Sequence, residues 1–145
     1  MFHSNQSSTY VPNGTAFVIH YASGPVSGFV SQDSVTLGGL TATGALFAEV
    51  VDVSGLGLAY LVGAFDGICG LAFQTISVDG MEPILPLLYD QGKLDQPYFG
   101  IYLETTGQAG ELFIGGASWQ CACDSDCLRM DYVCDAPPAS HCPFA

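Results

Sequence analysis

A chain of 145 residues, 49% of them hydrophobic, has room for one compact domain around one main core. Its 14 acidic residues stand against only Lys93 and Arg129, and the net charge of −12 repels phosphate backbones and anionic membrane surfaces, which argues against nucleic-acid and membrane partners. The longest nearly apolar run, VSGLGLAYLVGAF, is interrupted by small residues and stops at Asp66, short of the roughly 20 residues that a spanning helix needs.

The chain opens on MFHSNQSSTY, which has neither the basic start nor the apolar segment of a secretory leader, so export is either not encoded or encoded upstream. Two glycan acceptor triplets, Asn5-Gln6-Ser7 and Asn13-Gly14-Thr15, lie in polar, turn-like sequence. Short segments rich in Val, Phe, Leu, Tyr and Thr then alternate with glycines about every ten residues, the pattern of an all-β, mainly antiparallel domain. They predict strands at 16–21, 26–37, 41–50, 98–104 and 111–114, with LGGL and TTGQAGE as connections.

The helical exception is MEPILPLLYDQGKL, read as one short helix at 82–91. Asp79 or Gly80 can cap it, Pro83 suits its first turn, Ile84, Leu87 and Leu88 fall on one face, and Gly92 ends it. Pro86 fits only if it still belongs to the first turn, where a missing amide forfeits no hydrogen bond.

After Gly116 the composition turns to Cys, Asp and Pro, and no run reads as a further strand of the sheet. The predicted division is a folded part at 1–117 and a Cys-rich tail at 118–145, the latter an inserted module, a disordered extension or sequence translated past an exon boundary. Cys121, Cys123, Cys127, Cys134 and Cys142 crowd the tail, while Cys69 stands alone. Three states stay open for them: a disulfide framework, unpaired thiols, or zinc held by Cys121, Cys123, Cys127 and His141, although C-x-C-x3-C departs from paired C-x2-C knuckles.

The common catalytic signatures are absent: there is no G-x-S-x-G, no G-x4-G-K-[ST] and no H-E-x-x-H. His3, His20 and His141 are scattered, and His20 reads as a surface or packing residue. What remains is a fixed order of segments: SSTY with GTAFVIHY, YASGPVSGFVSQDSVTLGGL, FAEV, FDGICGLAF, VDGMEPILPLLYDQGKL, PYFGIYL and GELFIGG. Over residues 2–116 this order resembles the latter part of the N-terminal lobe of a pepsin-like aspartic endopeptidase. Any one segment is weak; seven in register are specific.

That resemblance implies an incomplete pepsin-like acid protease lobe, polypeptide substrates, no cofactor and no metal, and a secreted or vacuolar/lysosomal full-length protein. It implies that YASG is the flap closing over a bound peptide, with the Tyr21 ring walling a pocket and backbone groups of Ala22 and Ser23 bonding the extended substrate. Tyrosine offers an apolar face with a polar handle, and Gly24 lets the tip bend. Ala22 stands where the family usually has glycine, and a positive φ there would strain it. In FDGICG, Phe65 and Ile68 are implied pocket residues, Gly70 is implied to permit close packing, Asp66 to be structural, and Cys69 to be a buried thiol.

Such enzymes work with two aspartates in Asp-Thr-Gly or Asp-Ser-Gly turns that share a proton. Neither triplet occurs here; Asp33-Ser34-Val35 and Asp124-Ser125-Asp126 come closest, and both lack the glycine. Two copies of the chain cannot supply what one lacks. The expectation is therefore a fragment with no catalytic residue and no activity alone, the catalytic turn lying before Met1 and the C-terminal lobe missing after Gly116. The alternatives are a non-catalytic peptide- or protein-binding protein of the same fold, and a small disulfide-rich module resting on the tail alone. A partial lobe also predicts uncovered sheet edges and poor solubility.

Overall fold

The computed structural model describes residues 2–63, 65–103, 110–116 and 127–131. Residue contacts divide the chain into two units, Met1–Ile84 and Leu85–Ala145.

In the first unit, β1 (Val11–Tyr21), β2 (Gly24–Leu37) and β3 (Leu40–Asp52) form an antiparallel sheet in the order β1-β2-β3. The second hairpin turns on Gly38 and Gly39, with φ of 58° and 84°, between the paired Leu37 and Leu40. Two positive φ values make a primed turn, whose twist matches that of the strands and which glycine adopts freely. Along β1 the register shifts between Pro12 and Ala16. Pro12 lies on the outer strand of this sheet, where the missing amide forfeits no central ladder bond. In the same stretch Asn13 Oδ1 accepts hydrogen bonds from the Thr15 amide (3.1 Å) and the Thr15 hydroxyl (2.6 Å).

Strand β2 is buried on both faces, for two different reasons. Val26 and Val30 lie in the apolar core on the face they share with Phe17. On the opposite face, Ser31 and Asp33 are buried polar residues covered by the N-terminal arm. Thr9 Oγ1 donates to Asp33 Oδ1 at 2.5 Å, the Ser34 amide donates to the same oxygen at 2.7 Å, and Ser31 Oγ donates to Glu49 Oε1 at 2.5 Å. The Phe2 ring meets Phe47 edge-on at 5.1 Å and Tyr10 at 6.2 Å, pinning the arm over this network. Each buried polar side chain thus has partners, the condition for its burial to be tolerated.

Beyond β3 a 3-10 turn at Ser54–Leu56 runs directly into a short helix, α1 (Gly57–Val62), that the sequence reading did not anticipate. Its residues include no polar stripe, so no 3.6-residue periodicity announces it. Leu58 and Val62 are exposed on it. No helix among the described residues is long and apolar enough to cross a membrane.

Helix α2 spans Ile84–Asp90, inside the predicted 82–91. Neither Asp79 nor Gly80 caps it: both belong to a separate 3-10 turn, with φ of 55° and 66°. Pro86 is the third helical residue, within the first turn whose amides have no helical acceptor, so the sequence condition for it is met. Leu85 and Leu88 are the buried pair, whereas the expected Ile84 and Leu87 are half-buried. The C-terminus closes with the Gly92 amide donating to Tyr89 O at 2.8 Å and the Lys93 amide to Leu88 O at 2.9 Å, Gly92 having φ of 65°. That pair of bonds is a Schellman motif, and it explains the glycine.

In the second unit, β4 (Tyr98–Tyr102) lies between β5 (Glu111–Ile114) and β6 (Cys127–Asp131), antiparallel to both. Leu85, Leu88, Leu94 and Phe99 are its buried apolar residues. Strand β6 corrects the expectation that nothing after Gly116 joins a sheet. Its sequence, CLRMD, alternates Leu128 and Met130 with Arg129 and Asp131, a period-2 signal hidden by the Cys- and Asp-rich surroundings. The other tail cysteines and His141 lie outside the described residues, so the disulfide and zinc readings do too. The described residues are thus mainly antiparallel strand, as expected, and hold two short helices where one was expected.

Candidate functional site

The alternation of β1 places Tyr21. Phe17 is buried, Ile19 and Tyr21 on the same face are half-buried, and Val18 and His20 between them are exposed. Tyr21 pairs with Gly24, leaving Ala22 and Ser23 as an exposed two-residue loop. Neither loop residue has a positive φ; the unusual conformation falls on Gly24, with φ of 141°. The strain anticipated at Ala22 is therefore absent, because the twist of the tip is taken two residues later by a glycine.

The tip rests on the turn that follows β3. A Cβ built on Gly24 would lie 3.0 Å from Gly55 Cα, and one built on Gly55 would lie 2.0 Å from Pro25 O. Sequence reasoning missed Gly55: a close approach between backbones leaves no signal beyond the glycine itself.

Phe65 and Ile68 stand on an irregular segment, both exposed, the Phe65 ring edge-on to Tyr60 at 5.9 Å. No ring contact joins either residue to Tyr21 among the described residues. Two expectations for this segment fail. Cys69 is an exposed free thiol instead of a buried one, although partial desolvation still pushes its pKa up. At Gly70 an added Cβ would meet nothing within 4 Å, so close packing is not what requires glycine there; the backbone approaches in this unit fall on Gly28 and Gly55.

Asp33, nearest in sequence to a catalytic triplet, is engaged in the arm. Hydrogen bonds from the Ser7 and Thr9 side chains, opposed by burial and helped by the Ser34 amide, hold its carboxyl below the ordinary carboxylate value. Every donor is a hydroxyl or an amide, so the group is an ionised anchor for the arm and not one of two carboxylates sharing a proton. Among the described residues no cluster of three or more His, Cys, Asp or Glu has the geometry to hold a metal.

Comparison with known proteins gives the lineage. The family model for eukaryotic aspartyl protease matches residues 1–122. The chain is 47% identical over 110 residues to the probable vacuolar protease A of Trichophyton verrucosum, a match covering 76% of this chain and 27% of the relative. It is 44% identical over 118 residues to cathepsin D of Chionodraco hamatus (79% and 29%), and 48% identical over 116 residues to cathepsin D of Dictyostelium discoideum (79% and 30%). The chain thus spans 27–30% of the length of these curated relatives. The match embraces both hairpins of the first sheet, helix α2 and strands β4 and β5, and on that ground the chain belongs to the eukaryotic aspartyl protease family.

Proposed function

We propose that this chain carries the lid of an aspartic endopeptidase, and that the full-length protein cleaves polypeptides in a vacuolar or lysosomal compartment. The observation that carries the reading is the β1–β2 hairpin: an aromatic half-buried on the inner face, immediately before an exposed loop of Ala22 and Ser23, within the region matched by the family model. The relatives named vacuolar protease A and cathepsin D support the compartment. Tyr21 supplies the pocket wall, Ala22, Ser23 and Gly24 the backbone groups that hold an extended peptide as an added strand would be held, and Phe65 and Ile68 further apolar surface. The exposed positions of Phe65 and Ile68 suit residues that await a ligand. Catalytic aspartates are not assigned to this chain, because neither Asp-Thr-Gly nor Asp-Ser-Gly occurs in it.

That absence also favours a second reading, a non-catalytic peptide- or protein-binding protein of the same fold. Titration of the 145-residue chain with pepstatin A, a statine-containing peptide, followed by amide chemical shifts, tests the lid. Shifts should concentrate at Tyr21–Gly24 with Phe65 and Ile68, and Tyr21→Ala should weaken binding about tenfold or more. No shift at the hairpin would refute the lid. Pepstatin-sensitive peptide turnover by the chain itself would refute the assignment of catalysis elsewhere.

A further inference from the structure

The hairpin tip is held in place by bare backbone. Asp52 Oδ1 accepts the Ser54 amide at 2.9 Å, the Leu56 amide donates to Val53 O at 2.9 Å, and Gly57, with φ of 57°, turns the chain away. This tight turn presents the buried Gly55 to the strand leaving the tip. A Cβ on Gly55 would lie 2.0 Å from Pro25 O, 2.5 Å from Pro25 C and 2.6 Å from Gly24 C. Gly24 is the register partner of Tyr21, so this contact is one pair away from the exposed loop. We infer that Gly55 is a positioning residue for the Tyr21 lid, acting through a glycine-on-glycine seat whose turn Asp52 fixes; the functional half of this inference rests on the lid reading.

The physical case is directional. All the atoms crowding position 55 are backbone, so no side chain can rotate to accept a methyl group, and the hairpin and the Gly55 turn must part. Ordinary contact begins at 3.4 Å, against 2.0 Å here, so one methyl forces the tip and the Gly55 turn apart by more than 1 Å. A misplacement of about 1 Å in a positioning element is of the size that costs up to about 10²-fold in a reaction. The seat involves no apolar side chain of either glycine, so it determines where the tip lies more than how stable the sheet is. Asp52 gives an independent lever: Asp52→Ala removes the acceptor that holds Ser54 without adding volume, whereas Asp52→Asn keeps an oxygen there.

Amide hydrogen exchange on the full 145-residue chain tests this, with pepstatin A affinity measured in parallel. Gly55→Ala should speed exchange at residues 19–24 about tenfold or more while the Leu37–Leu40 turn stays as in wild type. Asp52→Ala should act in the same direction by a smaller factor, and Asp52→Asn should restore the wild-type pattern. Pepstatin A affinity should fall in the same order. Unchanged exchange at the tip, or equal acceleration at both hairpins, overturns the inference, and if Gly55→Ala does not fold, the Asp52 pair decides it by the same criterion. Wild-type chain that ignores pepstatin A overturns the lid reading, while the exchange pattern still decides the seat.

Discussion

Gly28→Ala is the sharpest test of the sheet geometry. A Cβ at this position would lie 2.0 Å from Glu49 O and 2.9 Å from Glu49 C and Val50 Cα, all backbone atoms of β3. Reaching the 3.4 Å of ordinary contact requires β2 and β3 to part by more than 1 Å, which disturbs the Gly28–Val50 and Phe29–Glu49 pairs and the Phe17–Gly28 pair on the other side. Overpacking of this kind costs about 1–3 kcal/mol, and a weakened ladder bond about 1 kcal/mol more. Against this, alanine restricts the unfolded chain and recovers about 0.4–1 kcal/mol. The net expectation is a destabilisation of about 1–3.5 kcal/mol. Gly70→Ala is the matched control, since its Cβ enters open space and its φ is not left-handed; only the unfolded-chain effect remains, giving no change or a gain of up to about 1 kcal/mol. Urea unfolding followed by far-ultraviolet circular dichroism, with a common m value, measures both. Gly28→Ala within about 0.5 kcal/mol of wild type would refute the reasoning. So would Gly70→Ala costing as much as Gly28→Ala, which would return the close approach to the position where the family resemblance puts it.

Two further outcomes follow from single groups. The Asp33 carboxyl is held below its ordinary value in the folded chain, so its stabilising effect is present above the unfolded value of about 3.9 and disappears as pH falls through the folded value. Asp33→Asn should therefore lower the melting temperature near pH 6 and flatten its decline below about pH 4; parallel curves for mutant and wild type would contradict this. Ala22→Gly should destabilise the chain by about 0.4–1 kcal/mol in the same urea assay, because Ala22 already has a negative φ and glycine only loosens the unfolded chain. A stabilising effect would mean that position 22 needs the left-handed conformation after all.

The strands were legible because their cause is local. Alternating β-branched and aromatic residues ended by Gly38-Gly39 leave little choice of register for β2 and β3. Helix α2 was legible for the same reason, since Gly92 and Pro83 mark its two ends, but its buried face was not. Leu85 and Leu88 are the buried pair, and the spacing of Ile84, Leu87 and Leu88 fits a helix face equally well. Helix α1 and strand β6 were missed through composition: one has no polar face to set a period, and the other hides its alternation among cysteines and aspartates. The proposed role of Tyr21 rests on the order of seven segments, because an aromatic beside a hairpin loop is commonplace by itself.

Gly55 and Cys69 show what such an order leaves out. A family pattern transmits which residue stands at a place, not which neighbour imposes it. With 18 glycines in the chain, nothing in the sequence distinguishes one that a carbonyl touches from one facing open space. The distinction has a consequence at the tip of the β1–β2 hairpin. Alanine is accepted at position 22 because the left-handed part of the turn is carried by Gly24, and Gly24 is packed against Gly55, which has no side chain to push it away. The departure at position 22 and the glycine at 55, which lie far apart in sequence, are therefore one structural arrangement, and a substitution at either is to be interpreted with the other in view.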